Sequence, residues 1–240
     1  MNAILPILAA LLQAASFTLD KAVLSMRRVN YETYVGVSFP LIFGITLIIF
    51  FIVQPPLSIE LFAGAGLWLV LGSVALSIFS NLIFYRALDR DRLSELETVG
   101  LISGVPIIIF SSVVFPDERN FFVLIPALVA VLAVIWSHWE RRHFRVHEDA
   151  APFLLWALIG APLGASLSKV LLFSWHPVSL ELVRTGLTAL ALHHFTLRAA
   201  SRLSKKVFSG LLITNLLTTV AWLLFYVSYQ RSGVVYTLLL

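Results

Sequence analysis

The chain has 240 residues, 59% of them hydrophobic and 12% charged, with a mean hydropathy of +0.93. Soluble domains run near ~45–50% apolar and ~25% charged, so a water-soluble globule is excluded, as is a disordered chain, which would be polar and charge-rich. The net charge of +4 does not indicate nucleic acid, because the basic residues fall in short clusters between apolar runs, and the lack of cysteine excludes disulfides, thiol nucleophiles and cysteine metal sites.

A helix needs about 20 apolar residues to cross a bilayer. The first such run covers 3–24. Its small residues Ala14, Ala15 and Ser16 resemble a cleavage site, but no positive region precedes it and more apolar runs follow, so it reads as a first transmembrane helix rather than a signal peptide. Further complete runs cover 34–53, 62–86, 95–115, 121–138, 153–174, 178–197 and 207–229, and a ninth begins near Val234. β-Barrel strands would be about ten residues long and alternate in polarity. These runs are long and continuous, so the expected fold is an all-α integral membrane protein, a polytopic helical bundle.

The links between runs carry unequal charge. Odd-numbered links hold Lys21, Arg27 and Arg28, then Arg86, Arg90 and Arg92, then Arg141, Arg142 and Arg145, then Arg198, Arg202, Lys205 and Lys206. Even-numbered links hold only Arg119 and Arg231. Because Lys and Arg near span ends stay cytoplasmic, the odd links, including 139–152, are expected in the cytoplasm and the N-terminus outside. The polar stretch Glu140 to Pro152 is the best boundary between two halves, 1–148 and 149–240.

A weak internal repeat relates these halves. Leu82-Ile83-Phe84-Tyr85 and Leu223-Leu224-Phe225-Tyr226 each end a span, and Arg90 or Arg231 follows five residues after the Tyr. Thr18-Leu19-Asp20-Lys21 resembles Ser166-Leu167-Ser168-Lys169 at the end of the first span of each half. Span 1 then pairs with span 6, and span 3 with span 8. The repeat unit is five spans, the second copy being incomplete. An odd number of spans inverts the second copy in the membrane, a plan common among secondary transporters, whose substrate site lies between the repeats.

The stretch from Asn81 to Leu88 (Asn-Leu-Ile-Phe-Tyr-Arg-Ala-Leu), then Leu93-Ser94, Pro106 and Asp117-Glu118-Arg119, resembles the EamA group of the drug/metabolite transporter superfamily, with fitting spacing across 79–138. Asp20-Lys21 with Leu24-Ser25 is similar to the first-span end of some members. The second half is covered only through the repeat. The resemblance implies a transporter of small organic solutes or metabolites, an exporter working by alternating access, with proton coupling and no cofactor. The family plan has ten spans, and members usually start inside the cell. Residues 234–240 would reach only about 10 Å as helix, so the expectation is either a longer product or a second chain, such as a homodimer partner, that supplies the remaining helices.

Enzyme signatures are missing from the sequence: it has no G-x-S-x-G, H-E-x-x-H or Walker loop, and no catalytic residue is assigned. His138, His143 and His147 lie close together, either as a metal site or as part of a solvated loop, and the second reading is preferred. Glu95 and Glu97 open the fourth span, either as proton carriers or as acids favouring the positive end of the helix dipole. Lys21 and Lys169 form a pseudo-symmetric pair that either faces a cavity and attracts an anion or snorkels to the surface, with Asp20 neutralising Lys21. Glu181 and Arg184, spaced i,i+3, are expected to pair on one helix face.

Polar stripes carry more information. Ser73, Ser77, Ser80 and Asn81 recur along the third span, and Thr214, Thr218 and Trp222 along the eighth. They serve either close helix packing or a solute cavity. The favoured cavity candidates are Ser77, Ser80, Asn81, Thr214, Thr218, Trp222 and Tyr226. Pro106, after Gly104, is placed to kink the fourth span. Partners are the lipid bilayer of the cell membrane and an unspecified small molecule. Two other readings share the fold, a non-transporting scaffold or partner subunit and a lipid flippase.

Overall fold

The computed structural model describes residues 3–27, 29–57, 62–90, 93–140, 151–199 and 203–239. In chain order its helices are α1 (Ile4–Leu24), α2 (Tyr31–Val53), α3 (Ala65–Arg90), α4 (Leu93–Val114), α5 (Phe121–Glu140), α6 (Ala151–Leu172), α7 (Pro177–Ala191), α8 (His193–Ala199), α9 (Lys205–Ser232) and α10 (Val234–Leu239). A short 3₁₀ turn, Pro116–Glu118, joins α4 to α5. Among the described residues there is no strand. Within α1, α2, α3, α6 and α9 lie stretches long and apolar enough to cross a membrane, and shorter apolar stretches lie at Ile102–Val114 and Phe121–Ala133. Large apolar side chains cover the outside, with Phe122 91% exposed and Trp68 73%. Such a surface suits lipid and would drive aggregation in water. The chain is a helical membrane protein.

Helix boundaries follow local chemistry. The Asn30 side chain accepts from Thr33 N–H at 3.0 Å and starts α2, and Ser204 caps α9 through Val207 N–H at 3.3 Å. Gln54 ends α2 in the left-handed region. Gly233, at φ +87°, separates α9 from α10. The seventh apolar run is interrupted at Leu192, where α7 gives way to α8. His193 Nδ1 lies 3.0 Å from the Leu190 carbonyl oxygen at that helix end.

α1 and α9 pack antiparallel, Ser16 meeting Thr218 and Val23 meeting Gly210. α3 and α6 also run antiparallel, Gly72 facing Leu167 and the Phe84 ring packing at a tilt on Phe153 with centroids 5.5 Å apart. α2 lies against α7, α8 and α9, and α6 also packs on α4. One apolar cluster, including Val23, Leu88, Leu96, Phe153, Ala199 and Val207, ties together one end of the bundle. A second, including Val70, Trp175, Leu180, Tyr229 and Val234, ties the other.

Candidate functional site

The polar residues of α1, α3 and α9 fall inside the bundle because the helices that carry them cross there. A cavity of about 150 Å³ opens between α1, α2, α3, α7 and α9. Ser77 and Asn81 of α3 line it, as do Thr218, Trp222 and Tyr226 of α9. A second cavity of about 160 Å³ lies beside it toward α6, and Ser77, Arg184 and Trp222 line both. The two spaces therefore share a wall built from α3, α7 and α9.

Two of the sequence candidates stand elsewhere. Ser80 is half-buried and outside both linings. Thr214 is fully buried one turn from Thr218, in the α1–α9 seam. There Ser16 Oγ shares hydrogen bonds with Thr218 Oγ1 at 2.5 Å and Thr214 Oγ1 at 3.0 Å. Thr214 Oγ1 also lies against the carboxylate of Asp20.

Asp20 is the centre of that seam. It is fully buried. The Tyr34 hydroxyl of α2 donates to its Oδ1 at 2.5 Å, and the Tyr85 hydroxyl of α3 reaches its Oδ2 at 3.4 Å. The two tyrosine rings pack with centroids 4.6 Å apart. Four helices thus converge on one carboxyl group, and Thr218 and Tyr85 connect it to the cavity wall. The expectation that Asp20 serves Lys21 is corrected: adjacent helix positions point about 100° apart at 3.6 residues per turn, and Lys21 Nζ instead donates to the Leu88 carbonyl oxygen at the end of α3 at 2.6 Å.

Lys169 is also away from the two central cavities. Its ammonium binds Asp117 at 2.8 Å and Glu118 at 2.5 Å and sits 4.3 Å above the Phe115 ring. Glu118 in turn accepts the backbone N–H groups of Val234 and Val235 at 2.8 and 2.7 Å. This joint fastens α6, the Pro116–Glu118 turn and α10 at one end of the bundle. The Lys169 ammonium holds the exposed Asp117 carboxyl below its ordinary range. Of the two readings of the Lys21 and Lys169 pair, cavity or surface, neither lysine lines the two central cavities; each long stem reaches a nearby carbonyl or carboxylate at a helix end.

Glu181 and Arg184 replace that pair in the cavity. Both line it, on α7. No ion pair within 4.0 Å joins them among the described residues, contrary to the expected structural pair. The Arg184 guanidinium donates to the Tyr226 hydroxyl and lies 5.5 Å from that ring's centroid. Its Nε is out of solvent and has no hydrogen-bond partner, and neither has Gln13 Oε1, another atom of the same cavity's lining residues. The sequence signal for this pair was present: Glu181 and Arg184 are charged residues inside the seventh apolar run, near its start, where charge is costly and tends to face a wet interior.

Glu95 and Glu97 lie on α4, but their side chains are outside the described residues. His143 and His147 lie outside them too, as does the side chain of His138, and no group of three metal-binding side chains occurs among the described residues. Pro106 lies within α4, which is continuous through it from Leu93 to Val114. No family model matches the chain, and a comparison with curated proteins returns no match.

Proposed function

We propose that this protein is a membrane transporter of small organic solutes, built on two inverted repeats and related to the EamA group, and that the cavity shared by α1, α2, α3, α7 and α9 is its solute site. The observation that carries the reading is the cavity itself: an apolar bundle encloses a space lined by an acid, a guanidinium and several hydroxyls, groups too costly to bury in a bilayer protein without a use.

The helix pairing supports the repeat. Exchanging α1 with α6 and α3 with α9 turns the α1–α9 contact into the α6–α3 contact, and both are present and antiparallel. Residues correspond as well. The alignment that matches Tyr85 to Tyr226 also matches Ser77 to Thr218 and Asn81 to Trp222, and all six line the cavity. Ser16 and Thr214, joined in the seam, correspond to Gly164 and Ser73, which both line the second cavity. Rocking of the two halves about such a pseudo-twofold would expose the shared wall to each side in turn.

The basic clusters support the orientation. Lys21, Arg27, Arg90, Arg198, Lys205 and Lys206 stand at the helix ends that meet at the Val23–Leu88–Val207 end of the bundle. We place that end in the cytoplasm, with the N-terminus outside.

Single-cysteine labelling tests the site in this cysteine-free chain. Ser77→Cys and Thr218→Cys should react with a membrane-impermeant maleimide in liposomes, while Phe79→Cys on the lipid-facing surface should not. Purified protein should also accelerate the flux of labelled small solutes across liposomes. Lipid-buried cysteines at both cavity positions, or no flux of any solute, would overturn the reading; movement of labelled lipid instead of solute would favour a flippase.

A further inference from the structure

We infer that Ser16 and Asp20 of α1, together with Thr214 and Thr218 of α9, form a binding site for one small monovalent cation of the sodium type. Use of that ion to drive solute movement rests on the transporter reading above; the site itself does not.

The first observation is the kind of atom gathered in the α1–α9 seam. Ser16 Oγ lies 2.5 Å from Thr218 Oγ1, 3.0 Å from Thr214 Oγ1 and 3.3 Å from the Thr214 carbonyl oxygen. Thr214 Oγ1 lies 3.1 Å from the Ser16 carbonyl oxygen and also meets the Asp20 carboxylate. The two helices thus bring together one carboxylate, three hydroxyls and two main-chain carbonyls, all of them oxygen ligands. Hard cations take oxygen ligands of this mixture. Hydroxyl and carbonyl oxygens each carry two lone pairs, so an ion between them replaces some of their mutual hydrogen bonds and leaves the helix ladder intact.

The second observation is charge. Asp20, Ser16 and Thr214 are fully buried. The partners of Asp20 among the described residues are hydroxyls, those of Tyr34, Tyr85 and Thr214. Hydroxyl dipoles solvate a negative charge without cancelling it, and a charge shut inside an apolar bundle is costly unless it is neutralised. One monovalent cation makes the seam neutral. A divalent cation would leave a net positive charge in the same place, which is why the site suits the smaller charge.

The third is position. Thr218 and Tyr85 also line the central cavity, so an ion reaches Asp20 from that space past a single layer of hydroxyls. α1 and α9 lie on opposite sides of the division between 1–148 and 149–240, so the ligands come from both halves and the bound ion favours the arrangement in which the halves meet here. The repeat supplies a comparison. Ser16, Asp20, Thr214 and Thr218 correspond to Gly164, Ser168, Ser73 and Ser77, and these four line the second cavity. That set has no acid and encloses open space. The charge, and with it the ion, belongs to the α1–α9 seam alone.

The test follows the thermal unfolding midpoint of the purified full chain in detergent, at constant ionic strength, as choline chloride is replaced by sodium chloride. Sodium should raise the midpoint saturably, by about 3–5 °C at about tenfold excess over its Kd. Asp20→Asn should abolish the rise while standing close to wild type in choline. Ser16→Ala removes one ligand and no charge; it should weaken sodium by about tenfold or more, and it keeps the test valid where the first variant folds poorly. Asp117→Asn, at an exposed carboxylate, should keep the full response, which separates a bound ion from a general salt effect. Equal midpoints in sodium and choline, a sodium response retained by Asp20→Asn, or unchanged sodium affinity in Ser16→Ala would overturn the inference. A wild-type midpoint that follows pH and ignores sodium, with that dependence lost in Asp20→Asn, would give the carboxyl a proton instead and overturn it equally. Flux in liposomes separates the two readings: solute flux without a sodium response sinks the ion site and leaves the transporter, whereas a sodium response with no flux of any solute keeps the site and sinks the transporter.

Discussion

Gly36 gives the sharpest test of the packing of α2 against α8. A Cβ at this position would lie 2.5 Å from the Phe195 carbonyl carbon, 2.7 Å from its oxygen and 2.8 Å from the Thr196 nitrogen. All three are backbone atoms, so no side-chain rotation relieves the clash. Ordinary carbon contacts need about 3.5–4.0 Å. Gly36→Ala therefore pushes α8 from α2 by roughly 1 Å. That displacement also stretches the bond from Thr196 Oγ1 to the Gly36 carbonyl, now 2.6 Å. Overpacking costs about 1–3 kcal/mol and a lost hydrogen bond about 1 kcal/mol, so the variant should be destabilised by about 2–4 kcal/mol. Gly44, two turns further along the same helix, is the control. A Cβ there meets nothing within 4 Å, and alanine gains about 0.8–1.0 kcal/mol of helix propensity over glycine. Reversible unfolding in mixed micelles should thus move the two variants in opposite directions. Equal stability of Gly36→Ala and Gly44→Ala would refute the α2–α8 contact.

Three more outcomes follow from the geometry. Asp20→Ala should cost about 2–4 kcal/mol by leaving the hydroxyls of Tyr34 and Tyr85 without their acceptor, while Asp20→Asn, which keeps one oxygen, should stay within about 1 kcal/mol of wild type; the same unfolding assay compares them, and equal stability of the two would remove the carboxyl oxygen as the tie between helices. Lys169→Met should cost about 3–5 kcal/mol because it strands the buried Glu118, whereas Asp117→Asn should cost less than about 1 kcal/mol because that carboxylate is 65% exposed; a Lys169→Met variant as stable as wild type would show that Lys169 does not hold the α6–α10 joint. His176 caps α7, its Nδ1 accepting from Val178 N–H at 3.2 Å. Burial lowers its pKa below the ordinary 6.5; the folded protein thus prefers the neutral ring, and its stabilising contribution is complete above 6.5 and is lost as pH falls through the folded value. Thermal stability measured across that range should show the loss in wild type, and His176→Asn, an uncharged cap, should lack this component; identical pH profiles would contradict it.

Much of the helical layout is legible in the amino-acid sequence. Apolar runs placed the helices close to where they stand because a bilayer forces every backbone polar group into an internal hydrogen bond, so a long apolar segment has one stable form. Ser77, Asn81, Thr218, Trp222 and Tyr226 could be singled out because small hydroxyls and aromatics at helical spacing stand out against an aliphatic background. The break at Leu192 was not legible, since no proline or glycine marks it and a histidine side chain supplies the contact at the helix end.

Tertiary structure decided the rest. Adjacent letters in the sequence, Asp20 and Lys21, proved to belong to different neighbourhoods, one gathering hydroxyls from three other helices and the other closing the end of α3. Glu181 and Arg184 have the spacing of an ion pair, yet they face a cavity whose existence depends on how α1, α2, α3, α7 and α9 cross. Composition and periodicity fix which segments are helices and which faces are polar, because those are local preferences of the chain in its solvent. Which polar faces meet, and whether they close on each other or around an open space, depends on contacts between residues up to 202 positions apart. Only the packed bundle supplies those.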